Sequence, residues 1–396
     1  MRYRFGDTVL DTTRYQLRRG DEFVHVEPQV FDVLAHLVEQ RDRVVTKSEL
    51  LETVWGHDFV SESALTTRIK QLRQAVGDTG RDQRVVQTVH GRGYRFIASV
   101  EEEPGDGDRP VLAVPPGLRQ DIHFCTATDG TRIAYATVGT GPPLVRAAHW
   151  ITHLDYDWQS PVWRHWLVGL ARDHQFIRYD ERGCGLSAHD VDDFSIDAFV
   201  QDLEAVVDDL GLDRFPLLGV SQGGPIAISY AARHPERVSH LILLGAYAHG
   251  RLRRATTDEQ RREAELQFEV ARLGWGRPDP AFRRFFTSTF IPDAPPDLWD
   301  SFAELLRRTT SAENAARMLE SWAMLDVTGA ATRVQAPTLI LHARDELRVP
   351  QEQAHLLASL VPNSRFVPLD SRNHLLRPAE PAWTQFLTEV DHFLEQ

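Results

Sequence analysis

The stretch "LLGVSQGG" sets Ser221 between Gly219 and Gly223, the spacing G-x-S-x-G. An apolar run, "FPLLGV", leads into it, and a small-residue run, "QGGPIAISYAARHP", leads out. A serine pushed out where a strand turns into a helix needs glycine neighbours, because the turn is strained and side chains there collide. Gly224 and Ala227 are small enough to let the following helix sit close to a sheet. A hydroxyl is a weak nucleophile until a base takes its proton, and a histidine base needs a carboxylate to orient it. Both partners stand downstream. "LILHARDELRVP" ends an apolar run in Asp345 and Glu346, and "FVPLDSRNHLL" ends the last such run in His374. No carboxylate directly follows the intervening run "LILLGAYA". Serine, acid and histidine, each at the end of a strand-like segment, are a set for acyl transfer through a covalent intermediate.

The elements that position them alternate. From residue 121 onward, "PPLVRAAHW", "HQFIRYDERG", "FPLLGVS", "VSHLILLGA", "PTLILHA" and "SRFVPLDS" read as buried strands separated by helical stretches. That alternation predicts an α/β unit with a mainly parallel sheet. One intervening helix is clear in "SIDAFVQDLEAVVDDLGL", where Ile196, Phe199, Leu203, Val206, Val207 and Leu210 form the inner stripe. Residues 248–332 interrupt the alternation with helical periods. They carry Phe268, Trp275, Phe285, Phe286, Phe290, Trp299, Phe302 and Trp322. Aromatics at a pocket mouth predict a small apolar or aromatic ligand. His149 and His153 lie four apart but lack a third ligand in a recognisable pattern, so no metal site is expected. No other cofactor is indicated.

On these residues, 120–396 resembles the α/β-hydrolases with a helical cap at about 248–332. "YDERGCGLS" looks like that family's turn after the fourth strand, so Asp180, Arg182 and Ser187 are expected to be structural. "LDSRNHLL" followed by "PAW" resembles a branch often fused to signalling or DNA-binding modules. The resemblance implies Ser221 as nucleophile and His374 as base. It implies Glu346 as the acid, counted from His342, with Asp345 as the alternative one residue earlier. The oxyanion hole falls on the backbone N–H of Gln222 and on one from the loop after "LVRAA", at Trp150 or Ile151.

The first hundred residues have a different character. The formal net charge is −13, yet residues 1–100 carry 15 basic and 14 acidic side chains, and 61–95 carry seven basic and three acidic ones. A local basic face can hold phosphates while the rest of a molecule is acidic. Short strand-like runs over 2–26 precede three helical patterns. Val30, Phe31, Leu34, Leu37 and Val38 line the first. Thr46, with Glu49 three residues on, starts the second as a capping box. Leu65, Ile69, Leu72 and Val76 line the third, with Gly77 as its C-cap. "RVVQTV" and "YRFIA", joined by "HGRG", read as a hairpin.

Three helices and a glycine-turned hairpin make an α+β winged helix. Residues 1–98 resemble the OmpR-type effector domain, most specifically in "IKQLRQAVGD" and "VVQTVHGRGYRF". The resemblance implies that the third helix enters the major groove of double-stranded DNA and that the wing reaches the minor groove. Thr67, Arg68, Lys70, Gln71 and Arg73 on that helix, and Arg92 on the wing, are the expected contacts. No phosphoacceptor receiver domain is expected ahead of it.

The expected organisation is therefore a winged helix at 1–100, an acidic and Pro/Gly-rich linker at 101–119, and a hydrolase-type domain at 120–396. The lack of a signal-like or membrane-spanning apolar run, together with two unpaired-looking cysteines, predicts a cytoplasmic protein without membrane contact. Two functional readings follow. One is a one-component transcriptional regulator, a homodimer that senses its ligand, with or without hydrolysing it. The alternative is an esterase-like serine hydrolase carrying the winged helix as an accessory.

Overall fold

The computed structural model describes residues 2–12, 16–20, 22–24, 26–55, 62–103, 118–277 and 279–395. The chain divides into two compact units, Met1–Ala113 and Val114–Gln396.

The first unit opens with β1 (Arg2–Phe5), β2 (Thr8–Asp11), β3 (Gln16–Arg19) and β4 (Glu22–Phe23). It continues through α1 (Pro28–Glu39), β5 (Val45–Thr46), α2 (Lys47–Trp55), α3 (Glu62–Ala75), β6 (Val86–Val89), β7 (Gly93–Phe96) and β8 (Glu101–Glu103). The apolar stripes of α1 and α3 meet in one core with Leu50, Val86 and Phe96. Phe5 packs edge-on to Phe96 at 5.0 Å, tying the leading sheet to the wing. Only half of the expected capping box forms. Thr46 Oγ1 accepts the Glu49 N–H at 3.1 Å, but the Glu49 carboxylate turns to Arg43 and His36. Gly77 takes φ +68° after α3, and Asp78 N–H donates to Arg73 O at 2.7 Å, closing the helix as a glycine C-cap. In the wing sheet, ordered β5-β7-β6, the Gly93 backbone passes so near β5 that a Cβ would lie 2.0 Å from Val45 O.

The expected linker does not begin at 101. Residues 101–103 form β8, antiparallel to β1, with Arg4 opposite Glu101. An exposed β1 edge carries unpaired backbone groups, and three residues of adjoining chain fill it whatever their side-chain period. Of the rest of the expected linker, 104–117 lie outside the described residues.

The second unit begins with β9 (Gln120–Thr126), β10 (Arg132–Val138) and β11 (Pro143–Arg146). Next come α4 (Leu154–Gln159), α5 (Arg164–Leu170), β12 (Gln175–Tyr179), α6 (Ile196–Asp209), β13 (Phe215–Val220), α7 (Gly223–Arg233) and β14 (Val238–Leu244). Six helices follow: α8 (Arg251–Arg254), α9 (Asp258–Gly274), α10 (Ala281–Phe290), α11 (Pro296–Thr309), α12 (Ala312–Ala323) and α13 (Thr328–Ala331). The unit ends with β15 (Thr338–Ala343), α14 (Gln351–Leu360), β16 (Ser364–Leu369) and α15 (Pro381–Leu394). The sheet order is β16-β15-β14-β13-β11-β12-β10-β9. β10 runs antiparallel to both neighbours, and the other pairs are parallel. Ser195 caps α6 by accepting the Ala198 N–H at 3.2 Å, and the α6 stripe at Phe199, Leu203, Val206 and Val207 is buried. Helices α8–α13 are the cap. Trp150, from the loop after β11, reaches into it and meets Trp275, Phe286, Phe290 and Trp322 at 5.4–5.9 Å.

Candidate active site and nucleic-acid face

β13 ends at Val220, and Ser221 takes φ +53°, a left-handed conformation unusual for a side-chain-bearing residue. Its N–H donates to Leu244 O at 2.9 Å, which fixes the turn against β14. The glycines are required by close approach. A Cβ at 219 would lie 2.8 Å from Gly223 O, and one at 223 would lie 2.9 Å from the carbonyls of Ala147 and Ala148. A Cβ at 224 would lie 2.4 Å from the Ala246 Cβ.

His374 follows β16, with its backbone N–H on Phe290 O at 2.9 Å. Its Nδ1 lies 2.9 Å from Glu346 Oε1 and 3.0 Å from Oε2, and the two side chains are 0% and 1% exposed. Against a carboxylate, which accepts, Nδ1 is the donor, and in the neutral ring that leaves the lone pair on Nε2. Nε2 is buried without a partner among the described residues. Glu346 Oε1 also accepts the Val349 N–H at 2.8 Å. Gly245 (φ +57°) leaves room for the pair: a Cβ there would lie 2.9 Å from His374 Cε1 and 3.4 Å from Glu346 Oε2. Gly245 directly follows Leu244, whose carbonyl holds Ser221, so the elbow and the His–Glu pair share one strand end. Asp345 is exposed and apart from the pair. The Ser221 hydroxyl donates to Gln222 Oε1 at 2.7 Å rather than to His374.

Of the expected oxyanion donors, the N–H groups of Gln222 and Trp150 have no partner among the described residues. Ile151 differs. It is a β-branched residue at φ +43°, and its N–H donates to Glu181 Oε1 at 3.3 Å. Ile151 is thereby committed to the turn beneath it, and Trp150 is the remaining candidate from that loop. Glu181 is fully buried, and burial pushes its carboxyl well above the usual range.

Asp180, Arg182 and Ser187 are structural. Asp180 Oδ2 accepts the N–H groups of Leu154 and Leu186, and Ser187 Oγ donates to Asp180 O at 2.6 Å. Arg182 pairs with buried Asp202. His149 lies tilted against Trp163 with centroids 4.3 Å apart, and His153 Nδ1 caps α4 by accepting the Tyr156 N–H.

A cleft opens beside Ser221 and Gln222. Its apolar wall is Phe268, Leu319, Trp322, Ala323 and Val349. Only Phe268 and Trp322 of the expected aromatics line it. Trp275, Phe286, Phe290 and Phe302 are buried packing, because the cap's own helices need a core. The expectation of an apolar site is corrected further by Arg251, Arg254 and Arg348, which line the same cleft. Sequence reasoning did not single them out. The signal was the i, i+3 spacing of Arg251 and Arg254, which puts both on one helix face.

On the first unit, Thr67 and Lys70 are exposed on α3, and Arg92 is exposed at the wing tip. Arg95 and Gln87, cross-strand partners on the exposed side of the wing, join that face although sequence reasoning did not single them out. Arg68 and Gln71 reach back to α1. Arg68 bonds Gln29 and pairs with Glu27, and Gln71 donates to Glu27. Arg73 departs from its expected role. It is 9% exposed and donates to Val86 O and Thr88 Oγ1, so it clamps α3 to the wing instead of facing outward. Asp78 completes that clamp by accepting four backbone N–H groups from 79 and 84–86. Burial alone would raise its pKa, but those donors outweigh it and hold the carboxyl below the usual range.

Among the described residues, no helix is long and apolar enough to cross a membrane. Comparison with known proteins agrees with the two-part architecture. The family model for the alpha/beta hydrolase fold matches residues 156–376, and that for the C-terminal part of transcriptional regulatory proteins matches 20–96. RutD of Pseudomonas savastanoi pv. phaseolicola, provisionally named a carbamate hydrolase, is 27% identical over 227 residues, 56% of this chain and 85% of its own. The transcriptional regulator HilA of Salmonella typhi is 33% identical over 116 residues, 29% of this chain but 19% of its own. The esterase EaEST from Exiguobacterium antarcticum superposes with a TM-score of 0.58 at 23% identity, covering 69% of this chain and 99% of that one, which speaks to fold alone. The chain belongs to the alpha/beta hydrolase family and bears, ahead of that domain, a winged helix of the OmpR-type transcriptional regulators.

Proposed function

We propose that this protein is a one-component transcriptional regulator whose hydrolase domain binds and cleaves a small acyl compound. Ser221 is the nucleophile, His374 the general base and Glu346 the acid that orients it. The Gln222 and Trp150 N–H groups receive the developing oxyanion. The observation that carries this reading is the Glu346 carboxylate clasping His374 Nδ1, with Nε2 left unpartnered near a strained serine elbow. Rotation about the Ser221 Cα–Cβ bond would exchange Gln222 Oε1 for His374 Nε2, an adjustment normal between free and substrate-bound sites.

The exposed Thr67, Lys70 and Arg92 support DNA binding by α3 and the wing, and a DNA partner fits residence in the cytoplasm. A homodimer formed through the hydrolase unit would set two winged helices on a repeated operator, where half-site spacing decides affinity. Ligand occupancy would act through that spacing. The alternative, an enzyme with an accessory winged helix, shares the site but not the coupling.

The experiment treats the full chain with a fluorophosphonate and, separately, titrates it against duplexes enriched from a random pool. The proposal requires labelling that maps to Ser221 and vanishes in Ser221→Ala. It also requires DNA affinity that falls steeply with salt. An unlabelled protein removes the nucleophile, and an absence of DNA binding removes the regulator.

A further inference from the structure

The cleft beside Ser221 holds three guanidinium groups. Arg251 and Arg254 come from α8, and Arg348 follows β15 two residues after Glu346. Both α8 side chains converge on one acceptor: Arg251 Nη2 and Arg254 Nη2 each donate to Arg348 O at 3.2 Å. Arg254 Nη1 is held by His249 O, and Arg348 Nη1 lies 3.4 Å from Thr289 Oγ1. A guanidinium carries five N–H donors, so most of the fifteen remain for a ligand. Aromatic faces brace two of the three, with Arg348 over Phe290 at 4.5 Å and Arg254 over Tyr247 at 5.9 Å. Phe290 in turn packs on His374 at 5.5 Å, so the cluster abuts the reacting groups.

These three arginines gather without a counter-charge. Buried Arg178 and Arg182 in the same unit have carboxylates, Asp157 and Asp202, while Arg146 is buried singly against the rings of Trp163 and Phe176. Among the described residues, none of the three cleft arginines makes an ion pair within 4 Å. Glu346, the acid that acts on Arg254 and Arg348, is engaged with His374. Glu263 is exposed and acts on Arg251 only at a distance. Burial weakens the hold of each on its proton, and for Arg254 and Arg348 repulsion from the neighbouring arginines adds to it, bringing Arg254 down to about 10 and Arg348 well below its ordinary value. Holding three like charges together without an acid is costly unless a ligand supplies the anion.

We infer that Arg251, Arg254 and Arg348 clamp an anionic group of the substrate, which is therefore an ester or amide that also bears a carboxylate or a phosphate. The inference rests on Ser221 as nucleophile, and it names the substrate class of that same site. Ser221 Oγ forms the bond to the carbonyl carbon, and the C–O or C–N bond breaks. The alcohol or amine leaves with the proton held by His374, and water then releases the acid from Ser221. The clamped anion passes through both steps unchanged. Phe268, Leu319 and Trp322 line the apolar stretch of the same cleft.

The test compares two esters that differ essentially in charge, the p-nitrophenyl monoester of glutaric acid and p-nitrophenyl pentanoate, on the full chain. Their kcat/KM ratio should favour the charged ester by roughly tenfold or more, the scale of one charge-assisted hydrogen bond. Arg254→Met should bring the ratio close to one, and Arg254→Lys should restore most of it. Arg251→Gln is read the same way if Arg254→Met does not fold. A wild-type ratio near one, or a preference untouched by these substitutions, overturns the clamp. If neither ester is turned over, the hydrolase reading alone falls, and calorimetric titration with glutarate and with inorganic phosphate decides the clamp. Binding of either anion that weakens roughly tenfold in Arg254→Met upholds it. Tighter binding of glutarate assigns a carboxylate, and tighter binding of phosphate assigns a phosphoryl group. Absence of binding by both refutes it.

Discussion

Glu346 grips His374 through both carboxylate oxygens, at 2.9 and 3.0 Å from Nδ1, while its neighbour Asp345 faces solvent. One residue of offset separates a group that can hold an imidazole in one tautomer from one that cannot. Glu346→Gln should therefore lower kcat for a p-nitrophenyl ester by roughly 10³–10⁴-fold, the scale of losing the orienting acid of a serine triad. Asp345→Asn should change it by less than about twofold, as for an exposed side chain away from the chemistry. Steady-state kinetics on the two variants decide between them, and equal losses would remove Glu346 from its role.

Lys70 and Arg73 lie three apart on α3 and are expected to separate two kinds of defect. Arg73→Ala breaks the clamp on Val86 O and Thr88, and should destabilise the winged helix by about 1–3 kcal/mol. Lys70→Ala removes an exposed charge. It should leave stability within about 0.5 kcal/mol and reduce the salt slope of DNA binding by about one. Hydrogen exchange of the wing amides and DNA titrations at several salt concentrations report the two effects.

Acid sensitivity in the winged helix should trace to Glu49. Its bond to Arg43, helped by His36, lowers its pKa from an ordinary 4.5 to about 2. The folded-state pKa is depressed, so the stabilisation is complete above about pH 5 and is lost as pH falls from 4.5 towards 2. Protection factors of the α2 amides, corrected for intrinsic exchange, should drop over that window in the wild type. The drop should be smaller in Glu49→Gln. Identical profiles would show that Glu49 is not the titrating group.

Much of this was legible in residue order and periodicity. Ser221 and His374 each end an apolar run, and the α3 stripe fell where helical spacing put it. Arg73 was misjudged although its position carried the signal. It stands four residues after Ile69, at the edge of the buried stripe, and a long side chain there can turn inward to a carbonyl. The α8 arginines were invisible as a site because a charge run reads the same whether it meets solvent or a cleft. Ile151 illustrates a harder limit. No spacing rule announces a positive φ in a β-branched residue, whose N–H here is accepted by Glu181. The early strand at 101–103 was hidden for a similar reason, since edge pairing draws on backbone groups that every residue has.

The central claim is that occupancy of the Ser221 site changes DNA affinity. A ligand shifts an equilibrium only by its differential affinity for the two states, so the clean measurement fills the site irreversibly. The full chain, labelled to completion at Ser221 with a fluorophosphonate, is titrated against its selected duplex beside unlabelled protein. Coupled sites predict a change in Kd of roughly fivefold or more, in either direction. Equal affinities in fully labelled and unlabelled protein would contradict the regulator and leave an enzyme that merely carries a winged helix.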